Sequence, residues 1–150
     1  MSVRRVLDEA KISGRHLVLE ITESALMQDA DKAVKLLRAL REIGVGIAID
    51  DFGTGYSSLA YLRRFPLDEL KIDKSFISEF NDDSKTIVSA IIALGHSLRL
   101  KVVAEGVEYD QQLQFLRRNN CDEYQGFLFS KPIPAIEFEV LMRQHMGVSR

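Results

Sequence analysis

Acidic residues recur in this chain at one kind of place, the carboxyl end of a short apolar run. Leu17-Val18-Leu19 leads into Glu20-Ile21-Thr22-Glu23, Val45-Gly46-Ile47-Ala48-Ile49 into Asp50-Asp51, and Val102-Val103-Ala104 into Glu105-Gly106-Val107-Glu108. A further run, Leu70-Lys71-Ile72-Asp73, places a lysine among them. An ionised carboxylate held away from water is costly unless it is paired or bound to a cation, so packing alone does not explain strand after strand ending this way. A hydrolytic metal site does. The donors are all oxygen, which suits magnesium or manganese better than zinc or copper. No serine or cysteine adjoins a histidine in a nucleophile arrangement, so activated water is the expected attacking group. His16, His96 and His145 are scattered, and surface or core roles are expected for them.

These side chains converge only if the runs are neighbouring strands. The apolar runs alternate with segments of period near 3.6. Strands are expected over 17–22, 45–50, 69–73, 101–105 and 123–129, and helices over 29–42, 57–64, 82–99, 109–119 and 135–145, after a short amphipathic start at Val3, Val6 and Leu7. Near-continuous apolar strands separated by helices imply a parallel sheet with helices on one face and a packed interior on the other. In a barrel of that type the site lies at the carboxyl ends of the strands and alternate residues point inward, so Glu20, Asp50, Lys71 and Glu105 are expected to face one concave surface. Asp50 and Asp51 would point oppositely on a regular strand. The strand is expected to end there, with Gly53 and Gly55 letting the following loop fold back so that both carboxylates address one cluster. Asp29 and either Asp82 or Asp83 are expected helix caps, Gly44 and Pro66 expected stops, and Pro134 an expected start.

Composition narrows the class. The 150 residues suffice for one domain, and 46% hydrophobic with 28% charged residues is ordinary for a globular chain. With 20 basic against 22 acidic residues the net charge is −2, which lacks the footprint of a duplex-binding protein. The single cysteine, Cys121, has no partner for an internal disulfide, and no Cys/His cluster suggests zinc; both favour a reducing compartment. No run approaches the ~20 apolar residues of a membrane span, and the start lacks a signal-peptide core, so a cytoplasmic location is expected.

Glu20-Ile21-Thr22-Glu23, Asp50-Asp51-Phe52-Gly53-Thr54-Gly55-Tyr56-Ser57-Ser58, Lys71-Ile72-Asp73, Ala104-Glu105-Gly106-Val107-Glu108 and Gln125-Gly126 follow one another in the order seen in EAL domains, and the chain resembles that family. Taken singly, Glu23 or Asp73 would more often be a strand-end charge or helix cap, and Lys71 a simple carboxylate partner. The ordered set carries the resemblance. EAL domains are cyclic di-GMP phosphodiesterases, so it implies metal-dependent hydrolysis of one phosphodiester bond to give linear pGpG. It implies Glu20, Asp50, Asp51 and Glu105 as metal ligands for Mg2+ or Mn2+, with two ions in the complete domain. Asp51 matches the residue associated with the second ion and the catalytic water; Lys71 matches the lysine that positions this water and offsets charge developing at phosphorus. Asp51, Lys71 and Glu105 form the implied catalytic set. Gln125 matches a substrate contact, Glu108 a supporting carboxylate, and Glu23 the glutamate that holds the Asp51-to-Ser58 loop.

The resemblance also implies what to look for elsewhere. A complete (β/α)8 barrel takes about 250 residues. Five runs read as strands here, and the family's Glu-Ala-Leu motif, the next strand's asparagine and an upstream substrate-binding arginine do not occur. The expected fold is therefore a partial (β/α)8 TIM-like barrel without the family's first three strands, with residues 1–150 the carboxyl-terminal part of an EAL domain. Weak or absent activity is expected of the chain alone. The competing expectations are a cyclic di-GMP sensor that does not cleave its ligand, and a dimerisation or regulatory module built on the Phe52-to-Leu59 region. Expected partners are cyclic di-GMP, a second copy in a homodimer, and sensory or GGDEF domains in a longer chain, in the setting of bacterial signalling and biofilm control.

Overall fold

The computed structural model describes residues 2–55 and 59–145. Helix α1 (Val3–Ala10) opens the chain, capped by Ser2, whose hydroxyl accepts from the Arg5 amide. A single 3-10 turn at Gly14–His16 then leads into β1 (Val18–Thr22). The remaining order is α2 (Glu23–Gln28), α3 (Ala30–Glu42), β2 (Gly46–Phe52), α4 (Leu59–Leu62), β3 (Glu69–Ile72), α5 (Lys74–Glu79), α6 (Asp82–Ser97), β4 (Lys101–Glu105), α7 (Asp110–Arg118), β5 (Glu123–Gln125) and α8 (Ala135–His145). The strands form one five-stranded sheet in sequence order, parallel at every pairing. Parallel neighbours need a crossover, and the helices between them supply it.

The core lies along the three central strands. Ile47, Ile49, Leu70, Ile72, Val102 and Ala104 are wholly inaccessible, and Leu37, Val88, Ile92 and Leu116 close over them from α3, α6 and α7. Burying each large aliphatic side chain is worth about 1.5–3 kcal/mol, so this layer dominates the stability of the arc. The outer strands differ from the continuously buried pattern expected of them. Strand β1 alternates exposed and half-buried positions, and β5 does the same over its short length. Helix α8 has no buried residue, and Ile136, Phe138, Val140 and Met142 along it are exposed.

Several local expectations need correction. Two short helices, α2 and α5, follow β1 and β3 directly where loops were expected. Thr22 caps α2 by accepting from the Ala25 amide, and Asp73 caps α5 by accepting from Ser75. Helices this short are unfavourable in isolation and form here through buried anchors, Leu26 in one and Ile77 in the other. Asn81, not Asp82 or Asp83, caps α6, accepting from the Ser84 amide at 2.8 Å. Asp29 caps α3 as expected. The helix expected over 57–64 is described only as α4; Ser57 and Ser58 lie outside the described residues. Strand β5 stops at Gln125 instead of reaching 129, because the Gly126 backbone rests against Val107, where a Cβ would lie 2.1 Å from the Val107 carbonyl oxygen. From there the chain leaves the sheet, the Phe129 amide donating back to the Gly126 carbonyl.

Candidate active site

The parallel sheet brings the carboxyl ends of β1 to β4 to one rim, and Lys71 stands at its centre. Its ammonium is 2.7 Å from Glu20 Oε1, 2.6 Å from Glu105 Oε1 and 3.5 Å from Asp50 Oδ1. The lysine side chain is only 7% exposed, whereas that of Glu20 is 51% exposed. Removing an ammonium from water costs several kcal/mol, and three converging carboxylates offset that cost. Burial alone would lower the Lys71 pKa, but the hydrogen bonds that its ammonium donates to Glu105 and Glu20 outweigh it and raise the pKa above the ordinary lysine value. These carboxylates favour the ammonium form of Lys71.

Asp50 and Asp51 reach this rim by a device that differs from the expected one. Strand β2 continues to Phe52, and its register with β3 runs from Ile49 opposite Leu70 to Phe52 opposite Ile72. Two residues, Asp50 and Asp51, thus stand against the single Lys71. The extra residue is a β-bulge, and Asp51 absorbs it with a left-handed backbone at φ 54°. Adjacent residues that a regular pleat would send to opposite faces now serve one site. Carboxylate oxygens of Asp50, Asp51 and Glu105 lie within 4.8 Å of one another. Asp50 Oδ1 is buried and makes no hydrogen bond among the described residues, its nearest donor being the Lys71 ammonium at 3.5 Å. A crowded, all-oxygen, partly orphaned set of this kind fits a hard divalent cation. Burial first, and then the charges of Asp50 and Asp73, raise the Asp51 pKa; Lys71 only partly opposes this.

The other expected residues divide. Glu20 reaches Lys71 but falls outside the three-carboxylate group. Glu23, first residue of α2, is buried, and its Oε2 accepts from the Gly53 amide at 3.0 Å, while Gly55 packs against the same carboxylate. It therefore grips the start of the loop after β2; Tyr56, Ser57 and Ser58 lie outside the described residues. Gln125 pairs with Glu105 in the sheet register and lines a cavity of about 360 Å³ with Phe127, Pro132 and Phe138. Glu108 is exposed, and its amide is held by Gln112, although no partner of its carboxylate is found among the described residues. Asp73, expected as an ordinary cap, does cap α5 and also lies against Asp51; burial pushes its pKa up, but Ser75 holds it below the ordinary carboxylate value. Its place two residues after Lys71 was the available signal. Burial pushes the Cys121 thiol up to about 11, so it is no ready nucleophile.

The fold and rim together define an α/β protein with a five-stranded parallel sheet and an acidic, lysine-centred site at its carboxyl rim. The EAL domain family model matches residues 1–132, and the chain belongs to that family. It is 53% identical over 145 residues to the cyclic di-GMP phosphodiesterase NbdA of Pseudomonas aeruginosa, a match covering 95% of this chain and 18% of NbdA. It is 55% identical over 136 residues to the bifunctional diguanylate cyclase/cyclic di-GMP phosphodiesterase MucR of the same organism, covering 89% of this chain and 20% of MucR. The chain thus spans about a fifth of the length of these relatives. Among solved structures, the PaMucR phosphodiesterase in complex with c-di-GMP superposes with a TM-score of 0.88 at 53% identity, over 91% of this chain and 56% of that one. The manganese/cy-diGMP complex of Klebsiella pneumoniae BlrP1 gives 0.79 at 35% identity, over 87% of this chain and 34% of that one. No helix among the described residues is long and apolar enough to cross a membrane.

Proposed function

We propose that this chain supplies the carboxyl-terminal half of the active site of a cytoplasmic, Mg2+- or Mn2+-dependent phosphodiesterase that opens cyclic di-GMP to linear pGpG. The observation that carries the reading is the bulge that sets Asp50 and Asp51 together against Lys71, with Glu105 beside them. Asp50, Asp51 and Glu105 would hold the metal, with Glu20 joining from β1. A bound divalent ion polarises the phosphodiester and makes water acidic enough to attack near neutral pH.

The protein's own groups do the rest. Lys71, permanently charged and buried, offsets negative charge as it accumulates on the phosphoryl oxygens, a stabilisation that needs no reorganisation at the moment of reaction. Water would add to phosphorus while the bond from phosphorus to the ribose oxygen breaks; the proton shed by water would pass to a carboxylate oxygen of Asp51, and the departing ribose oxygen would take up a proton from solvent to give the free hydroxyl of linear pGpG. Gln125, at the end of β5 beside an apolar cavity, would contact the nucleotide. Glu23 acts indirectly, by holding the loop after β2 through the Gly53 amide, and Glu108 supports the β4 end. The same reading includes a homodimer and, in a longer chain, sensory or GGDEF partners; the bifunctional name of MucR accords with such company.

The test is release of pGpG from cyclic di-GMP with Mg2+ or Mn2+, assayed on the 150-residue chain and on a chain that also carries the upstream strands of the barrel. Turnover by the extended chain and little by the 150-residue chain is the expected result. Ligand binding without turnover by the extended chain would replace this reading with a sensor, and absence of both would leave a dimerisation or regulatory module.

A further inference from the structure

Gln112 is one of the few buried polar side chains in the described residues, at 3% exposure, and nothing in the proposed chemistry uses it. Both ends of its amide are engaged. Oε1 accepts from the Glu108 amide at 2.8 Å and the Tyr109 amide at 2.9 Å, and Nε2 donates to the Ile77 carbonyl at 2.9 Å. The first two donors belong to the open amino end of α7, where backbone N–H groups lack helical partners; the Ile77 carbonyl belongs to the open carboxyl end of α5. An ordinary cap needs only the acceptor half. The donor half reaches into the preceding βα unit, whose strand carries Lys71.

A second contact joins the same two units. Gly106 follows Glu105 with φ 73° and lies against the first residue of α5, so close that a Cβ there would be 2.7 Å from Lys74 Cβ. The 105–108 segment is thus pinned to α5 near both ends: by Gly106 on Lys74 at one, and by Gln112 between Glu108 and Ile77 at the other. α5 itself begins directly after Asp73, two residues beyond Lys71. We propose that Gln112 is a positioning residue that locks the β4 end to α5 and thereby holds Glu105, and with it the metal-binding carboxylate group, at its working distance from Lys71. The proposal rests on the metal-dependent reading above. Its leverage is geometric, since a displacement of about 1 Å in a catalytic constellation can cost 100-fold.

The experiment compares Gln112→Met, which keeps the approximate volume and removes all three hydrogen bonds, with Gln112→Glu, which keeps the acceptor pair. Val88→Ala, on the buried face of α6, reports plain loss of stability. Mn2+ affinity is measured by EPR titration at a temperature where every variant is folded, and amide hydrogen exchange is followed residue by residue. Gln112→Met should weaken Mn2+ binding by ~10-fold or more, the scale on which partners behind metal ligands act. Gln112→Glu should recover part of this, and Val88→Ala should leave it unchanged. Exchange in Gln112→Met should quicken within 105–109 and at the end of α5 only. Wild-type Mn2+ affinity in Gln112→Met, or exchange quickened evenly over the whole sheet, overturns the proposal. The Mn2+ titrations are run on a chain that also carries the upstream strands; if that chain, unsubstituted, binds no Mn2+, the metal-dependent reading fails, and the Gln112 lock stands or falls on the exchange pattern.

Discussion

The two rims of the sheet use the same residue type to opposite ends. At the amino rim, Asp68 and Asp122 each stand just before a strand and each has its full set of partners. Asp68 accepts from the Ile47 amide at 2.9 Å and pairs with Arg41; Asp122 accepts from the Val102 amide at 2.8 Å and pairs with His96 at 3.0 Å. Leu67-Asp68-Glu69-Leu70 and Cys121-Asp122-Glu123-Tyr124 are one device used twice: each aspartate ties its strand to the second residue of the preceding one, and to a basic residue on the helix before that. Even the following glutamates, Glu69 and Glu123, share one cation, Lys101. At the carboxyl rim, Glu20, Asp50, Asp51 and Glu105 crowd a single lysine, and one buried Asp50 oxygen makes no hydrogen bond among the described residues. A carboxylate with matched donors fastens strands together. A surplus of carboxylates over donors leaves room for a cation.

The comparison breaks most readily at Lys71. In a chain that also carries the upstream strands, Lys71→Met should lower pGpG release by about 100- to 1000-fold, the scale of losing one preorganised charge at a reacting centre. Turnover near the unsubstituted rate would remove Lys71 from the chemistry. Next in size is Asp68→Ala, which leaves the buried Ile47 amide without its acceptor. Urea unfolding should show a loss of about 2 kcal/mol, with Mn2+ affinity unchanged. A change in Mn2+ affinity there would mean the two rims are not independent.

The acid response separates the rims further. Burial pushes the Asp122 pKa up, yet the Val102 amide and then His96 hold it below the ordinary carboxylate value. Its folded pKa is thus below its unfolded one, so its contribution is complete above about pH 4 and is lost as pH falls through the folded value. Asp122→Asn should flatten that part of the acid-unfolding curve, by less than about 1 kcal/mol because the side chain is partly exposed. An unchanged acid limb would show that the carboxylate charge does not matter there.

Asp51 should behave in the reverse sense, with the smallest effect on stability. Its pKa is raised, so its ionised form at neutral pH opposes folding, and the penalty fades as pH falls through the raised value. Asparagine also tolerates a left-handed backbone. Asp51→Asn should stabilise the metal-free chain by about 0.5 kcal/mol in calorimetry while suppressing turnover more than substrate binding. Loss of stability in the metal-free chain would contradict a surplus of charge at this rim.

Much of this was legible before any fold was known, because it depends on local pattern. The alternation of apolar runs with 3.6-period segments located all five strands and the long helices, and a run's last residue is the strand's carboxyl end in any parallel sheet, so Glu20, Asp50, Lys71 and Glu105 were bound to meet. Thr22 and Asp73 as caps were signals of α2 and α5 that periodicity could not read, since six residues are too few to show a period.

What the amino-acid sequence determined by itself was the type of element, the rim on which the acids gather and the family motifs in their order. Only the tertiary structure decided how Asp50 and Asp51 come to share a site, because a bulge exists only in the register between two strands, here where Ile49 and Phe52 meet Leu70 and Ile72. It likewise decided the early end of β5, set by Gly126 on Val107, and the role of Gln112, whose partners lie in two βα units. These depend on which backbone lies alongside which, and a linear pattern carries no such distance.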